Sequence, residues 1–327
     1  MNRNNTLLAA ALAAGLQFCA ITAATAAEAW PTRPVRFIVP YPPGGTTDIV
    51  ARGIAAKLTE RYGQQVVTDN RGGASTIIGA ELMANAAPDG HTILLATATT
   101  LSINPNVVSK LPYNALRDFA PVTQTVYVPF VLAAHPSVSA NSVAELLALA
   151  KAKPGSISYS TPGTASTNHL GGALLEYLTG VKLLHVPFKG SGPAAAAVVG
   201  GQVSFVITGI ATVLPFTKSG KLKVLAFASE KRHPKFPDIP STGEAGVKGY
   251  ESGTWFSVVG RAGTPRPIIN QLNHDIIAAL NSADLKGRLE SIGFDIRTQS
   301  PEEFGKFIKD DLALSAKVIK AAGIKLD

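Results

Sequence analysis

Short apolar runs alternate along this chain with stretches in which apolar residues recur every three or four positions. "VRFIV" (Val35–Val39) is β-branched and aromatic, as buried strands are, and behind it Ile49, Val50, Ile54 and Leu58 fall at helical spacing. The unit then recurs without any sequence repeat. "QVVTDN" predicts a strand and "STIIGAELMANA" a helix; "HTILLAT" predicts a strand that runs into the polar "ATTLSINPNV". "YVPFVLAAHP" is read as the next strand, followed by a helix over 143–151 that Ser142 caps. "SISYS" leads through "TPGTAST" into the helical "NHLGGALLEYL". "KLLHVPF" leads through "KGSG" into "PAAAAVVGG", where Pro193 suits the first helical position. "VSFVITG", "KVLAFAS" and "TWFSVVG" complete the strands. Two helices end the chain, one starting from a Thr264 cap and one from a capping box of Ser300 and Glu303. Phe304, Phe307, Ile308 and Leu312 form the packing stripe of the last helix.

Strands that alternate with helices predict an α/β fold of mainly parallel sheets covered on both faces. About nine such units are more than one small sheet carries. A boundary near "APVTQTVYVP" and a return near "GVKGYESGTWFSVVG" predict two lobes, the first discontinuous: 28–127 with 252–327, and 128–251.

Composition narrows the setting. "MNRNN", an apolar core from Leu7 to Leu16 and the small residues of "ATAAEAW" have the form of a secretory signal peptide over 1–27, cut near Ala26 or Ala27, which predicts export to the periplasm. Cys19, the single cysteine, lies inside that segment, so disulfides, cysteine-ligated zinc and a cysteine nucleophile are excluded from the mature chain. The net charge of +8 invites a nucleic-acid reading, yet only 16% of residues are charged and the one dense basic run is "KRHPK", so no nucleic-acid partner is expected. Between residues 119 and 229 the only acids are Glu145 and Glu176, against seven lysines. Such a basic lobe draws small anions toward any cleft it lines.

In α/β sheets ligands sit beyond the carboxyl ends of the strands, so the loops there carry the candidate chemistry. Two share a composition, "YPPGGTTD" and "STPGTASTNH"; both follow strands and open helices. In the first, Pro40, Pro42 and Pro43 stiffen the approach, Gly44 and Gly45 clear a path, Thr46 or Thr47 can cap the helix, and Asp48 suits its positive first turn. Two helix N-termini facing a cleft would clamp an acid with backbone N–H groups and hydroxyls. Enzyme motifs are missing: there is no G-x-S-x-G, H-E-x-x-H or P-loop. "GSGPAA" fits the loose dinucleotide pattern, but no acid follows at the required distance. His169 and His185 are read as packed or capping residues. No catalytic residue, metal or cofactor is expected.

The motifs "WPTRPVRFIVPYPPGGTTDIVAR", "VTDNRGGASTIIGAELMANAAPDGHTIL", "STPGTASTNHLGGALLE", "HVPFKGSGPAAAAVVGGQVSFVI", "GKLKVLAFAS" and "GTWFSVVGRAGTP", in this order, resemble the Bug-type (TctC-like) periplasmic receptors of tripartite tricarboxylate transporters across essentially the whole mature chain. The resemblance implies a two-lobed, type II-like periplasmic-binding-protein fold that closes on a small carboxylate: a dicarboxylate, an aromatic acid or a related organic acid. It implies delivery to the small and large membrane subunits of a permease, by a non-enzymatic monomer. It places the ligand against Tyr41, Gly44, Gly45, Thr46, Thr47 and Asp48 of the first loop. From the second loop it adds Ser160, Thr161, Gly163, Thr164, Ser166, Thr167 and Asn168, with Thr97, Ala98, Thr99, Lys189, Gly190, Thr208 and Gly209 completing the pocket. Relatives commonly carry an aspartate where this chain has Thr208, which argues against an amino-acid ligand. Two other readings stay open at this point, an exported enzyme acting on a small organic acid and a ligand-sensing lobe for a signalling partner.

Overall fold

The computed structural model of the protein describes residues 30–322, and the expected signal segment, with Cys19, Ala26 and Ala27, lies outside them. Met1–Thr32 and Arg33–Asp327 are separate units. Of the first, only the irregular stretch from Trp30 to Thr32 is described, with a cis peptide before Pro31.

In the second unit β1 (Val35–Val39) lies between β2 (Val66–Asn70) and β3 (Thr92–Thr97), all parallel. They are linked by α1 (Thr46–Tyr62) and α2 (Ile77–Ala84). The polar stretch after β3 folds as a π-helical turn, Thr99–Ile103, and the short α3 (Asn104–Val107). The long strand β4 (Phe119–Ala134) follows, then α4 (Val143–Ala152), β5 (Ser158–Thr161), α5 (Thr167–Thr179) and β6 (Leu184–Pro187). Next come α6 (Ser191–Val199), β7 (Phe205–Gly209), α7 (Ile210–Lys218), β8 (Lys223–Phe227) and β9 (Gly253–Arg261). The chain ends with α8 (Arg266–Asn281), α9 (Ala283–Ser291), the two-residue β10 (Asp295–Ile296) and α10 (Pro301–Ala322).

The ten strands run β2-β1-β3-β9-β4-β7-β5-β6, with β8 and β10 also paired to β4. The two outer triplets are parallel, as the alternation predicts, but the middle is antiparallel. The reason is the path of the chain: β4 carries it from one triplet toward the other and β9 brings it back in the opposite sense. Phe119 through Pro129 pair with β9, whereas Phe130 through Ala134 pair with β7, and Val131 onward also pairs with β8. Proline removes a ladder donor, so its place in a central strand needs an irregularity. Pro121 sits at a register shift, and Pro129 sits at the end of the β9 ladder where β4 changes partner.

Apolar clusters lie on both faces of the sheet. Ile38, Met83, Leu94, Trp255 and Phe304 pack together in the first half. Phe130, Tyr159, Phe205 and Tyr250 form one face of the second half, and Val131, Val206, Val213 and Phe227 the other. Ser142 caps α4 by accepting from Glu145 N at 3.2 Å. Ser300 and Glu303 form the expected capping box, with Glu303 N donating to Ser300 Oγ (3.3 Å) and Ser300 N to Glu303 Oε2 (2.9 Å). Thr264 does not cap α8: Pro265 holds that position, and the Thr264 hydroxyl donates to Arg261 O. Pro193 is the third residue of α6, because Ser191 opens that helix.

Candidate functional site

The first loop is built around a buried carboxylate. Gly45, extended at φ −90° and ψ 178°, occupies the N-cap of α1 and supplies no side chain, while Thr46 and Thr47 are already helical and buried. The threonines therefore do not cap the helix. Asp48 reaches back instead, accepting from Gly44 N at 3.1 Å, Arg52 Nε at 2.8 Å and Asn70 Nδ2 at 3.0 Å. Asn70 Nδ2 also donates to Tyr41 O. Burial alone would raise the Asp48 pKa, but the Arg52 guanidinium, the Gly44 N–H and the Asn70 amide outweigh it and hold the carboxyl below its ordinary range. Gly44 turns at φ +86°, a conformation that disfavours any side chain.

The second loop uses neutral groups. Ser166 caps α5, accepting from His169 N at 3.2 Å and donating to Gly163 O at 2.7 Å. Ala165, at φ +54°, donates its N–H to His169 Nδ1 at 3.1 Å. His185 Nε2 lies 2.6 Å from Thr161 Oγ1, and the His169 and His185 rings stack at 3.9 Å, 8° from parallel. Burial lowers both pKa values, that of His185 to about 3, with the neighbouring His169 adding to it. Both rings are thus neutral supports beneath the loop, in keeping with the packed reading from sequence.

The loops meet at a narrow cleft. Gly45, Thr46 and Thr47 contribute the start of α1, and Thr167 and Asn168 the start of α5. Ser191, at the start of α6, and Gly209, the N-cap of α7, line the same cleft. Four helix N-termini therefore converge, each bringing N–H groups with no partner inside the helix and roughly half a positive charge. The remaining walls are Tyr41, Thr97, Thr208, Thr254, Phe130, Phe256 and Pro162, so among the described residues no charged side chain lines the cleft. The hydroxyl of Thr208, wholly buried there, has no hydrogen-bond partner among the described residues. Burial raises the Tyr41 phenol pKa, while the Thr99 and Thr97 hydroxyls beside it pull the other way. The cavity is only about 20 Å³, space for one or two waters. A carboxylate group is of that size. The fit is close: a Cβ at Gly209 would lie 2.9 Å from Thr46 Cγ2 and 2.6 Å from Val128 Cγ1.

The other expected residues lie around this cleft. Asp48 braces the loop from behind. The Ser160 hydroxyl is engaged by Ala194 O at 2.9 Å, and Thr161 by His185. Gly163, Thr164 and Lys189 line an adjoining chamber that shares Tyr41 and Pro162 with the cleft. Thr164 O there accepts from Ser75 Oγ at 2.6 Å. Ala98 lines a separate groove that reaches Thr167. Gly190, at φ +132°, caps α6, and a Cβ there would press on Pro42 Cδ at 2.9 Å. Sequence reasoning missed Phe130, Pro162, Ser191, Thr254 and Phe256. Ser191 had a signal, since it stands beside Gly190 at a strand-to-helix turn; Thr254 and Phe256 reach the site through strand pairing distant in sequence.

Among the described residues no group of three or more His, Cys, Asp or Glu could hold a metal ion, and no helix is long and apolar enough to cross a membrane. A family model described as "Tripartite tricarboxylate transporter family receptor" matches residues 50–324. The chain belongs to this family. It is 35% identical to the protein BugT of Bordetella pertussis over 324 residues, covering 99% of each chain. The fold matches R. palustris Rpa4515 with adipate at a TM-score of 0.88 and 37% identity, covering 90% of this chain and 99% of that one. It matches the periplasmic binding protein BugD at 0.86 and 33% identity, over 90% and 99%. The Bug-type likeness and the α/β binding-protein fold expected from the motifs are borne out.

Proposed function

We propose that the protein is a periplasmic solute-binding receptor that captures a small organic carboxylate and delivers it to a tripartite permease with small and large membrane subunits. The observation that carries this reading is the uncharged cleft on which four helix N-termini converge, with the Thr208 hydroxyl left unpartnered in its wall. Dipole ends and N–H groups stabilise a carboxylate without a counter-ion. The buried Thr208 hydroxyl offers a ligand oxygen a hydrogen-bond partner within the cleft. An ammonium finds no acid among the lining residues, which favours plain carboxylates over amino acids.

On this reading the residues around β1, β2, β3 and β9 form one lobe and those around β5, β6 and β7 the other. β4 and β9 are the crossings about which they open and close. The chain is exported with its signal peptide removed, works as a monomer and catalyses no reaction. The R. palustris relative solved with adipate puts linear dicarboxylates first among ligands to try.

The test is a thermal-shift and calorimetric screen of the mature chain, refolded to strip bound ligand, against dicarboxylates, aromatic acids, acidic amino acids and nicotinates. A cognate acid at a hundred times its dissociation constant raises stability by about 2.7 kcal/mol. Saturable binding of one carboxylate class, with the ligand recovered unchanged, is expected. Binding of no carboxylate overturns the receptor reading, and turnover of a bound acid replaces it with an enzyme.

A further inference from the structure

The parallel strands β5 and β6 have two unlike ends. Their carboxyl ends lead into the cleft, whereas their other ends, where Ser158 pairs with Leu184, are turned away from it. At that far end α4 and α5 both finish, and the turns beyond them are tied together. Gly155 N donates to Lys182 O at 3.0 Å, and Leu184 N to Ile157 O at 2.9 Å.

This end is rich in unpaired lysines. Lys151, Lys153, Lys182 and Lys248 are exposed, and none makes an ion pair or a hydrogen bond through its ammonium among the described residues. The acids around them are engaged or lie to one side. Glu176 accepts from Leu183 N at 2.8 Å, Glu230 accepts from Gly249 N, Glu244 pairs with Arg232 at 2.9 Å, and Glu251 borders the groove of Trp255. Two helix C-termini, worth roughly half a negative charge each, together with Glu176 offset about two of the four ammonium charges, so positive charge remains in excess. Apolar side chains stand out among the lysines. Tyr177, 76% exposed, is the most exposed large apolar side chain among the described residues, and Leu178 and Leu184 are exposed beside it. An apolar groove of about 570 Å³ adjoins them, lined by Leu147, Ala148, Leu178 and Val247 together with Lys151 and Lys248.

We propose that this end of the molecule docks on an anionic phospholipid surface. Tyr177, Leu178 and Leu184 enter the headgroup layer, and Lys151, Lys153, Lys182 and Lys248 meet lipid phosphates. Four ammonium groups on flexible stems have no fixed geometry to match to an acidic protein, but bilayer phosphates are themselves mobile and ask for none. Long lysine stems let the charge reach phosphate while neighbouring apolar groups sit deeper. The cleft lies at the other ends of the same strands and stays open to solvent, so the inference does not depend on what the cleft binds.

The experiment sediments the mature chain with vesicles of phosphatidylcholine alone and with vesicles containing about one third phosphatidylglycerol, at low and at high salt. Binding to the anionic vesicles at low salt is expected, about tenfold or more tighter than to the neutral ones, and it should be lost as salt rises. Each lysine beside an anionic leaflet is worth about fivefold in partitioning. Lys151→Gln combined with Lys182→Gln should therefore weaken binding by roughly tenfold or more. Tyr177→Ser should weaken it about threefold. Lys309→Gln combined with Lys317→Gln removes the same charge from exposed positions of α10 and should change it by less than about twofold. All five side chains are exposed, so every variant should keep the wild-type melting temperature. Equal binding to neutral and anionic vesicles, or an equal loss in the α10 variant, overturns the proposal. So does a chain that binds neither kind of vesicle, including one that instead retains an acidic protein on this face.

Discussion

In the loop before α1 a buried charge organises the backbone: Asp48 gathers Gly44, Arg52 and Asn70, and Asn70 in turn holds Tyr41. In the loop before α5 hydroxyls and imidazoles do that work, with Ser166 bridging Gly163 and His169 while His185 supports Thr161. Both arrangements end in the same product, a helix N-terminus presented to one cleft. The difference teaches that donor presentation is set by the cleft, whereas the support behind it is free to vary. A charged support is sensitive to loss of a single atom group and a neutral one is sensitive to being charged.

The contrast is broken most strongly by Asp48→Ala. It leaves the Asn70 amide and the Gly44 N–H without their acceptor, and it should destabilise the chain by about 3 kcal/mol, more than the loss of any one neutral hydrogen bond. Urea unfolding measures it; a change below about 1 kcal/mol would show that the carboxylate is dispensable to the loop. Acid separates the two supports more gently. The histidines, depressed from 6.5, contribute stability that is complete above that value and is lost as pH falls toward the folded pKa, about 3 for His185. Asp48, depressed from 3.8, loses its contribution only as pH falls below that point. Between pH 6.5 and 4 the α5 loop should therefore loosen first. Hydrogen exchange of amides 161–169 against 44–48 checks this, and equal acceleration in both would refute the division. The smallest effect on the fold is expected from Thr208→Val, which removes the unpartnered hydroxyl at nearly constant volume. Stability without ligand should stay within about 1 kcal/mol of wild type, while carboxylate affinity should drop roughly tenfold, or about 1.4 kcal/mol. Unchanged affinity would show that no ligand oxygen reaches Thr208.

What could be read from the sequence was local. The strand in Val35–Val39, the Gly-Thr turn before α1, the Ser142 cap and the Ser300 and Glu303 box are all properties of neighbouring residues, and they appear where the pattern put them. The Thr46 or Thr47 cap failed because Gly45 holds the N-cap and Asp48 offers the stronger acceptor, a choice that depends on Asn70 and Arg52. The first half of β4 was hidden for another reason. Thr123, Gln124 and Thr125 look like loop residues, yet they are buried, and Thr123 donates to Gln299 O from a distant segment. The antiparallel centre was equally illegible, since no spacing near β4 reveals a partner that comes more than a hundred residues later. Within the site, the loops of α1 and α5 stood out by composition. The third and fourth helix starts join them only through the sheet order that places β6 and β7 beside β5.

The late arrival of β9 has a consequence for synthesis. Leu94 of β3 and Gln124 of β4 pair with Val259 and Ser257, so a nascent chain halted anywhere before residue 253 carries two strands with open edges and no means of closing them. Pairings this distant in sequence are slow to form, and open edges invite association with other chains. The protein therefore cannot complete its sheet from the ribosome outward. It must wait, with its two central edges bare, for a strand made long after β3 and β4 have emerged.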